Sequence, residues 1–163
     1  MTPQQYPVLV LCGSDKKRRK LLQELDPDRK YKSKALLPFL GKRVIDWQLE
    51  ALIQSPYVKD IYLLGLSEEE AQFQYPVQYI PCQTTSSLAE KLQVGLAYLQ
   101  EEDPGLEVFA VSTSDTPAIS THSINAFFEG MKELQPFEAV ISGVPINITE
   151  KIFPNHGRVV AHL

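Results

Sequence analysis

Apolar and polar positions along this chain change period several times, and each change marks an element. Val8–Leu11 is a short apolar run bounded by turn residues, the pattern of a buried strand. From Val44 to Gln54 the spacing becomes helical, with Ile45, Leu49, Leu52 and Ile53 on one face. Ser55-Pro56 ends that helix, because the residue before a proline avoids the helical region. Strands are predicted at Asp60–Leu64, Val77–Ile80, Val108–Val111 and Ala139–Val144. Ser87-Leu88-Ala89-Glu90 has the spacing of a capping box, and the helix after it lines up Leu88, Leu92, Leu96 and Leu99. Ser120–Leu134 reads as a further helix with Ile124, Phe127, Phe128 and Met131 facing inward.

Strand and helix alternate through most of the chain. That order predicts an α/β protein with a mostly parallel sheet, helices on both faces and right-handed crossovers. In such sheets ligands lie beyond the carboxyl ends of the strands, near a switch in strand order. Two segments fall there. Cys12-Gly13-Ser14 follows the first strand, and Ser112-Thr113-Ser114-Asp115-Thr116-Pro117 follows Val108–Val111. Parallel strands would bring both to one rim of the sheet although they are about a hundred residues apart in sequence. Between them runs a long charged loop from Asp15 to Ser33, broken at Asp26-Pro27-Asp28 after a short helix through Leu22 and Leu25. A connection of that length inside a compact domain is usually functional or mobile.

Charge sharpens the picture more than composition does. The net charge is −4, which argues against nucleic acid as the main partner. Yet residues 1–43 hold 11 of the 16 Lys and Arg and only 4 of the 20 Asp and Glu. A basic third on an acidic protein suits a localised site for a small anion, although Lys16-Lys17-Arg18-Arg19-Lys20 taken alone reads first as the solvated face of a short helix. No apolar stretch approaches the roughly 20 residues of a membrane helix. The N-terminus lacks the basic and apolar regions of a secretory signal. Cys12 and Cys82 form no disulfide framework, so a reduced, cytoplasmic setting is expected.

The candidate chemistry is that of phosphate and a hard cation. Asp115 supplies a carboxylate of the kind Mg²⁺ prefers; taken alone, it is also an ordinary start to a turn ending in Pro117. Gly13 permits close backbone approach to phosphate, or simply a strand-to-loop turn. Lys34 precedes the apolar Ala35-Leu36-Leu37, which would fix where its side chain emerges; a fixed lysine neutralises phosphate charge, whereas most lysines are merely exposed. Neither a P-loop nor a dinucleotide-binding glycine motif is present. His122, His156 and His162 show no metal spacing, and Cys12 has no adjacent histidine base.

These segments together resemble the MobA-like nucleotidyltransferases, relatives of the molybdenum-cofactor guanylyltransferase. The resemblance is carried by Val8-Leu9-Val10-Leu11-Cys12-Gly13, by Tyr31-Lys32-Ser33-Lys34-Ala35-Leu36-Leu37-Pro38-Phe39-Leu40-Gly41-Lys42 and by Ser114-Asp115-Thr116-Pro117. It implies a Rossmann-like, three-layer nucleotide-diphospho-sugar transferase fold as one domain over residues 1–163. It implies transfer of a nucleotidyl group from an NTP to a phosphorylated small-molecule acceptor, with release of pyrophosphate. Carried across, Leu11, Cys12, Gly13, Ser14, Lys34, Ser87 and Asp115 would contact the nucleotide, and Asp115 would hold Mg²⁺. Lys34, with Arg18 and Arg19, would face the triphosphate. Two departures stand out: the first motif reads Leu-Cys-Gly-Ser where the family has Leu-Ala-Gly-Gly, and Lys91 stands where the family often has asparagine. Family members also continue beyond Arg158–Leu163, so a shortened domain is expected, with a nucleotide-binding module or interaction domain lacking catalysis as the alternative to an enzyme.

Overall fold

The computed structural model describes residues 3–13, 20–82, 87–143 and 146–152. Its elements run β1 (Tyr6–Leu11), α1 (Lys20–Leu25), a 3-10 turn (Lys34–Leu36), β2 (Pro38–Phe39), β3 (Lys42–Arg43), α2 (Val44–Ile53), β4 (Val58–Leu64), β5 (Gln78–Ile80), α3 (Leu88–Glu102), β6 (Ala110–Thr113), α4 (Thr121–Glu133) and α5 (Ile146–Ile152). Two compact units result, residues 1–128 and 129–163, and the first holds the whole sheet.

Four strands form a parallel sheet in the order β5-β4-β1-β6. The chain moves outward from β1 to β4 to β5, then returns to lay β6 on the other side of β1. The order therefore switches between β1 and β6, and in open parallel sheets such a switch point is where ligands lie beyond the strand ends. β1 is wholly buried, as expected of a strand inside a parallel sheet. Pro7 lies in it, and the pairing with β4 slips between Tyr6 and Val8. A proline has no N–H for a ladder, and the irregularity falls where that donor is lacking.

Alternation along the strands separates two apolar layers. Leu9, Leu11, Tyr62, Leu64 and Ile80 pack with Leu99 of α3. On the opposite face, the fully buried Gln48 of α2 donates to Ser112 Oγ, whose ladder partner is Val10. α2 buries Ile45, Leu49 and Leu52, while Ile53 is exposed. The fold is thus the expected Rossmann-like α/β arrangement, with a mostly parallel sheet and helices on both faces.

The contact face of α3 differs from the sequence expectation. Its buried stripe is Lys91, Gly95 and Leu99, whereas Leu88 is exposed. Gly95 decides this. A Cβ there would stand 2.7 Å from Leu9 Cδ1 and 3.0 Å from Leu64 Cδ2, so the missing side chain is what lets the helix lie close on the sheet. The helix start is as expected: Ser87 Oγ accepts from the Glu90 amide, and the Glu90 side chain reaches back to the Ser87 amide. Replacing Ser87 with alanine is expected to lower stability by about 1 kcal/mol in urea unfolding.

The strand expected at Ala139–Val144 is not formed across residues 139–143, and Val144 lies outside the described residues. Ile141 in this segment is exposed. A β-branched run satisfies its backbone as a strand only where a neighbour supplies a ladder, and none is supplied here among the described residues. In the preceding segment, the strand expected at Val108–Val111 is displaced to Ala110–Thr113, because the register with Val8–Leu11 selects those residues.

Candidate functional site

Three strand ends meet at one rim. Leu11 pairs with Leu64 on one side and Thr113 on the other. Beyond the ladder, the Cys12 amide donates to Leu64 O at 2.7 Å and the Ser114 amide donates to Leu11 O at 3.2 Å. Gly65 follows β4 with φ of +90°, and a Cβ on it would lie 2.9 Å from the Cys12 carbonyl oxygen. Gly13 and Asp115 therefore each stand two residues beyond paired strand ends at one rim, and the backbone before them is tied on both sides.

Lys34 arrives from the long loop, and buried polar groups organise its approach. Asp26, 3% exposed, accepts from the Lys30 amide at 2.8 Å and from the Tyr31 amide at 3.0 Å. Its carboxylate thus serves as the turn-former implied by Asp26-Pro27-Asp28. Ser33 is buried and caps the 3-10 turn through its hydroxyl, which accepts from the Ala35 amide. Ala35, Leu36 and Leu37 are all buried, and Leu37 O accepts from the Val44 amide at the start of α2. A hairpin through Leu40 (φ 49°) and Gly41 (φ 85°) closes the segment. Arg43 then grips Asp46 through Nε and a terminal nitrogen, both at 2.9 Å, and lies over the Phe73 ring. Packing on one side of Lys34 and hydrogen bonds on both sides fix the backbone from which its stem extends.

That stem ends on Asp115. Lys34 Nζ stands 3.1 Å from Asp115 Oδ2, with the lysine side chain 27% and the aspartate side chain 46% exposed. Burial resists ionisation of Asp115, but hydrogen bonds from Lys34 and Thr113 and the lysine charge outweigh it, so the carboxyl titrates below its ordinary range. The two residues are 81 apart in sequence, and the fold alone brings them into contact.

The small polar residues before Asp115 are more occupied than their size suggests. Ser112 Oγ is taken by Gln48, and Ser114 is buried beside Cys12. Gln48 Oε1 is buried with no hydrogen-bond partner among the described residues. Cys12 is fully buried, and its thiol is pushed up to about 12 by that burial, against the smaller opposing effects of Ser114 and the Lys91 charge. It is therefore no nucleophile at neutral pH. Thiol titration of the native protein at pH 8 is expected to label the half-buried Cys82 promptly and Cys12 only after denaturation.

Lys91, passed over as a site residue by the sequence reading, is only 6% exposed and sits in the first turn of α3, close enough for its charge to act on Cys12. The signal that marks it is its i, i+4, i+8 line with Gly95 and Leu99. Ser87 is exposed and its hydroxyl is engaged in the cap of α3. Ser14, Arg18 and Arg19 lie outside the described residues.

The donor set suits a cation that brings most of its own ligands. Among the described residues no cluster of three or more His, Cys, Asp or Glu is able to hold a metal. A single half-exposed carboxylate beside a lysine fits Mg²⁺, which keeps its waters and takes substrate phosphates as ligands. No helix among the described residues is long and apolar enough to cross a membrane.

Comparison with known proteins bears on the family and the fold. The model of the MobA-like NTP transferase domain matches residues 8–145. A hypothetical transferase from Thermus thermophilus superposes with a TM-score of 0.66 at 21% identity, over 96% of this chain and 58% of its own. A CMP:2-keto-3-deoxy-manno-octonic acid synthetase complexed with CTP gives 0.55 at 15% identity, over 83% of this chain and 50% of its own. A Mycobacterium tuberculosis protein complexed with manganese gives 0.53 at 14% identity, over 80% of this chain and 61% of its own. At these identities the likeness establishes the fold, and the chain spans between 50% and 61% of the length of these structures. No curated protein matches the chain in sequence. Matched by the domain model along most of its length, the chain belongs to the MobA-like NTP transferase family.

Proposed function

We propose that this chain binds a nucleoside triphosphate at the rim between β1 and β6 and transfers its nucleotidyl group to a phosphorylated small-molecule acceptor, releasing pyrophosphate. The observation that carries the reading is the meeting of Lys34 and Asp115 over the switch point. Cys12 and Gly13 present backbone to the nucleotide, with Leu11 beneath them and Ser14 next in the chain. Ser87 and the first turn of α3 flank it. Asp115 is the residue that would hold Mg²⁺ or Mn²⁺, and the ion would supply positive charge to the phosphates during displacement.

The chain's own groups account for the rest of the chemistry. Acceptor and triphosphate are both anions, so their approach costs electrostatic energy. Lys34 offsets that cost at a fixed position, and Arg18 and Arg19 are assigned to the same role from the basic loop. An ionised acceptor phosphate is already nucleophilic, so no side chain has to remove a proton. The setting assigned to the protein is the cytoplasm, where both substrates occur.

The test is thermal unfolding with ATP, CTP, GTP and UTP in turn, each with Mg²⁺ or Mn²⁺, together with a pyrophosphate assay across phosphorylated acceptors. A ligand at a hundred times its Kd stabilises the folded state by about 2.7 kcal/mol. A shift with one nucleotide plus acceptor-dependent pyrophosphate release is the expected result. A shift without release would leave a nucleotide-binding module, and no shift with any nucleotide would end the reading.

A further inference from the structure

Lys34 and Asp115 are assigned to different partners, one to phosphate and the other to metal, yet they hold each other at 3.1 Å. Neither role is available while the contact lasts. A free divalent cation approaching Asp115 meets a carboxylate whose charge is already balanced and an ammonium that repels it. Among the described residues no cluster of three or more His, Cys, Asp or Glu offers the ion an alternative. A triphosphate, in contrast, offers the ammonium a denser negative charge than one carboxylate does. The lysine backbone is fixed by the Ser33 cap and the buried Ala35-Leu36-Leu37, so only the flexible four-carbon stem has to move.

Resting on the nucleotide reading above, we infer that this ion pair is an exchange gate that makes the site select the metal–nucleotide complex over the free metal ion. When phosphate draws Lys34 away, the Asp115 carboxylate is released to the cation that arrives with the nucleotide. Linkage makes the coupling reciprocal: whatever factor the nucleotide adds to metal affinity, the metal adds to nucleotide affinity.

The gate predicts a gain on removing a positive residue from the site. Binding of Mn²⁺ alone, without nucleotide, is measured by electron paramagnetic resonance on the full chain and on Lys34→Met, which keeps the apolar stem. The variant is expected to bind Mn²⁺ roughly fivefold more tightly than the parent, the size of a partly exposed ion pair. Asp115→Asn and the double variant are expected to lose that binding. Thermal shifts with each of the four NTPs are recorded on the same samples. Equal Mn²⁺ affinity in Lys34→Met and parent overturns the gate while nucleotide-dependent shifts leave the nucleotide reading standing. Absence of any nucleotide shift in the parent overturns both.

Discussion

Asp115→Asn is expected to slow nucleotidyl transfer by roughly a thousandfold, at the upper end of what loss of one charge-stabilising group costs an active site. The substitution keeps size and shape and removes one charge. A hard cation then meets an amide oxygen in place of an anionic one, and its preference for carboxylate is lost. Stability is expected to change little. The Lys34–Asp115 pair is partly exposed, and such pairs contribute about 0–1 kcal/mol. Single-turnover pyrophosphate release and a thermal melt on the same preparation separate the two effects. A variant that turns over at the parent rate would remove Asp115 from the mechanism; one that melts far below the parent would instead mark it as structural.

The convergence of Lys34 with Asp115 was legible because each half of it follows from a strong local signal. Short apolar runs bounded by small residues specify buried parallel strands, and parallel strands place their carboxyl ends on one rim. Ala35-Leu36-Leu37 had to be buried, which left Lys34 at a defined exit. The register adds what periodicity lacks: Leu11 opposite Thr113 brings the ends of β1 and β6 level at one rim.

Where the sequence misled, the missing information was tertiary. Leu88 and Lys91 are three residues apart, and hydropathy favours burying the leucine. The structure buries the lysine, because the close approach at Gly95 sets the rotation of α3 and the charged stem can lie along apolar surface. Ala139–Ile141 has strand composition, but composition does not create a ladder partner. Ser112 and Ser114 are small polar residues of the kind that can leave room for a ligand. One hydroxyl instead completes a buried contact with Gln48, and the other residue packs beside Cys12. Small polar residues at a strand end serve a pocket or a core equally well, and only the helix packed against them decides which.

Gly65→Ala is expected to be the most damaging single substitution for the rim itself, at about 3 kcal/mol of stability. Two costs add. At φ of +90° an alanine carries its Cβ into backbone, at roughly 1–2 kcal/mol for the left-handed region alone. That Cβ would also stand 2.9 Å from the Cys12 carbonyl oxygen and 3.3 Å from its carbon, atoms of a main chain held by the Cys12–Leu64 hydrogen bond. A flexible side chain moves aside from such a contact, but a main chain tethered through its own amide does not. Relief therefore requires the Cys12–Gly13 segment to shift, and that is the backbone proposed to face the nucleotide. For a chain of this length the loss corresponds to a fall in Tm of roughly 6–12 °C, and nucleotide-dependent stabilisation is expected to weaken further than the melt alone explains. Gly130→Ala is the control: it lies within α4, nothing stands within 4 Å of its added Cβ, and alanine there favours the helix. If both alanine variants melted at the parent temperature, the close approach of β4 to the β1 turn would not be what holds this rim in place.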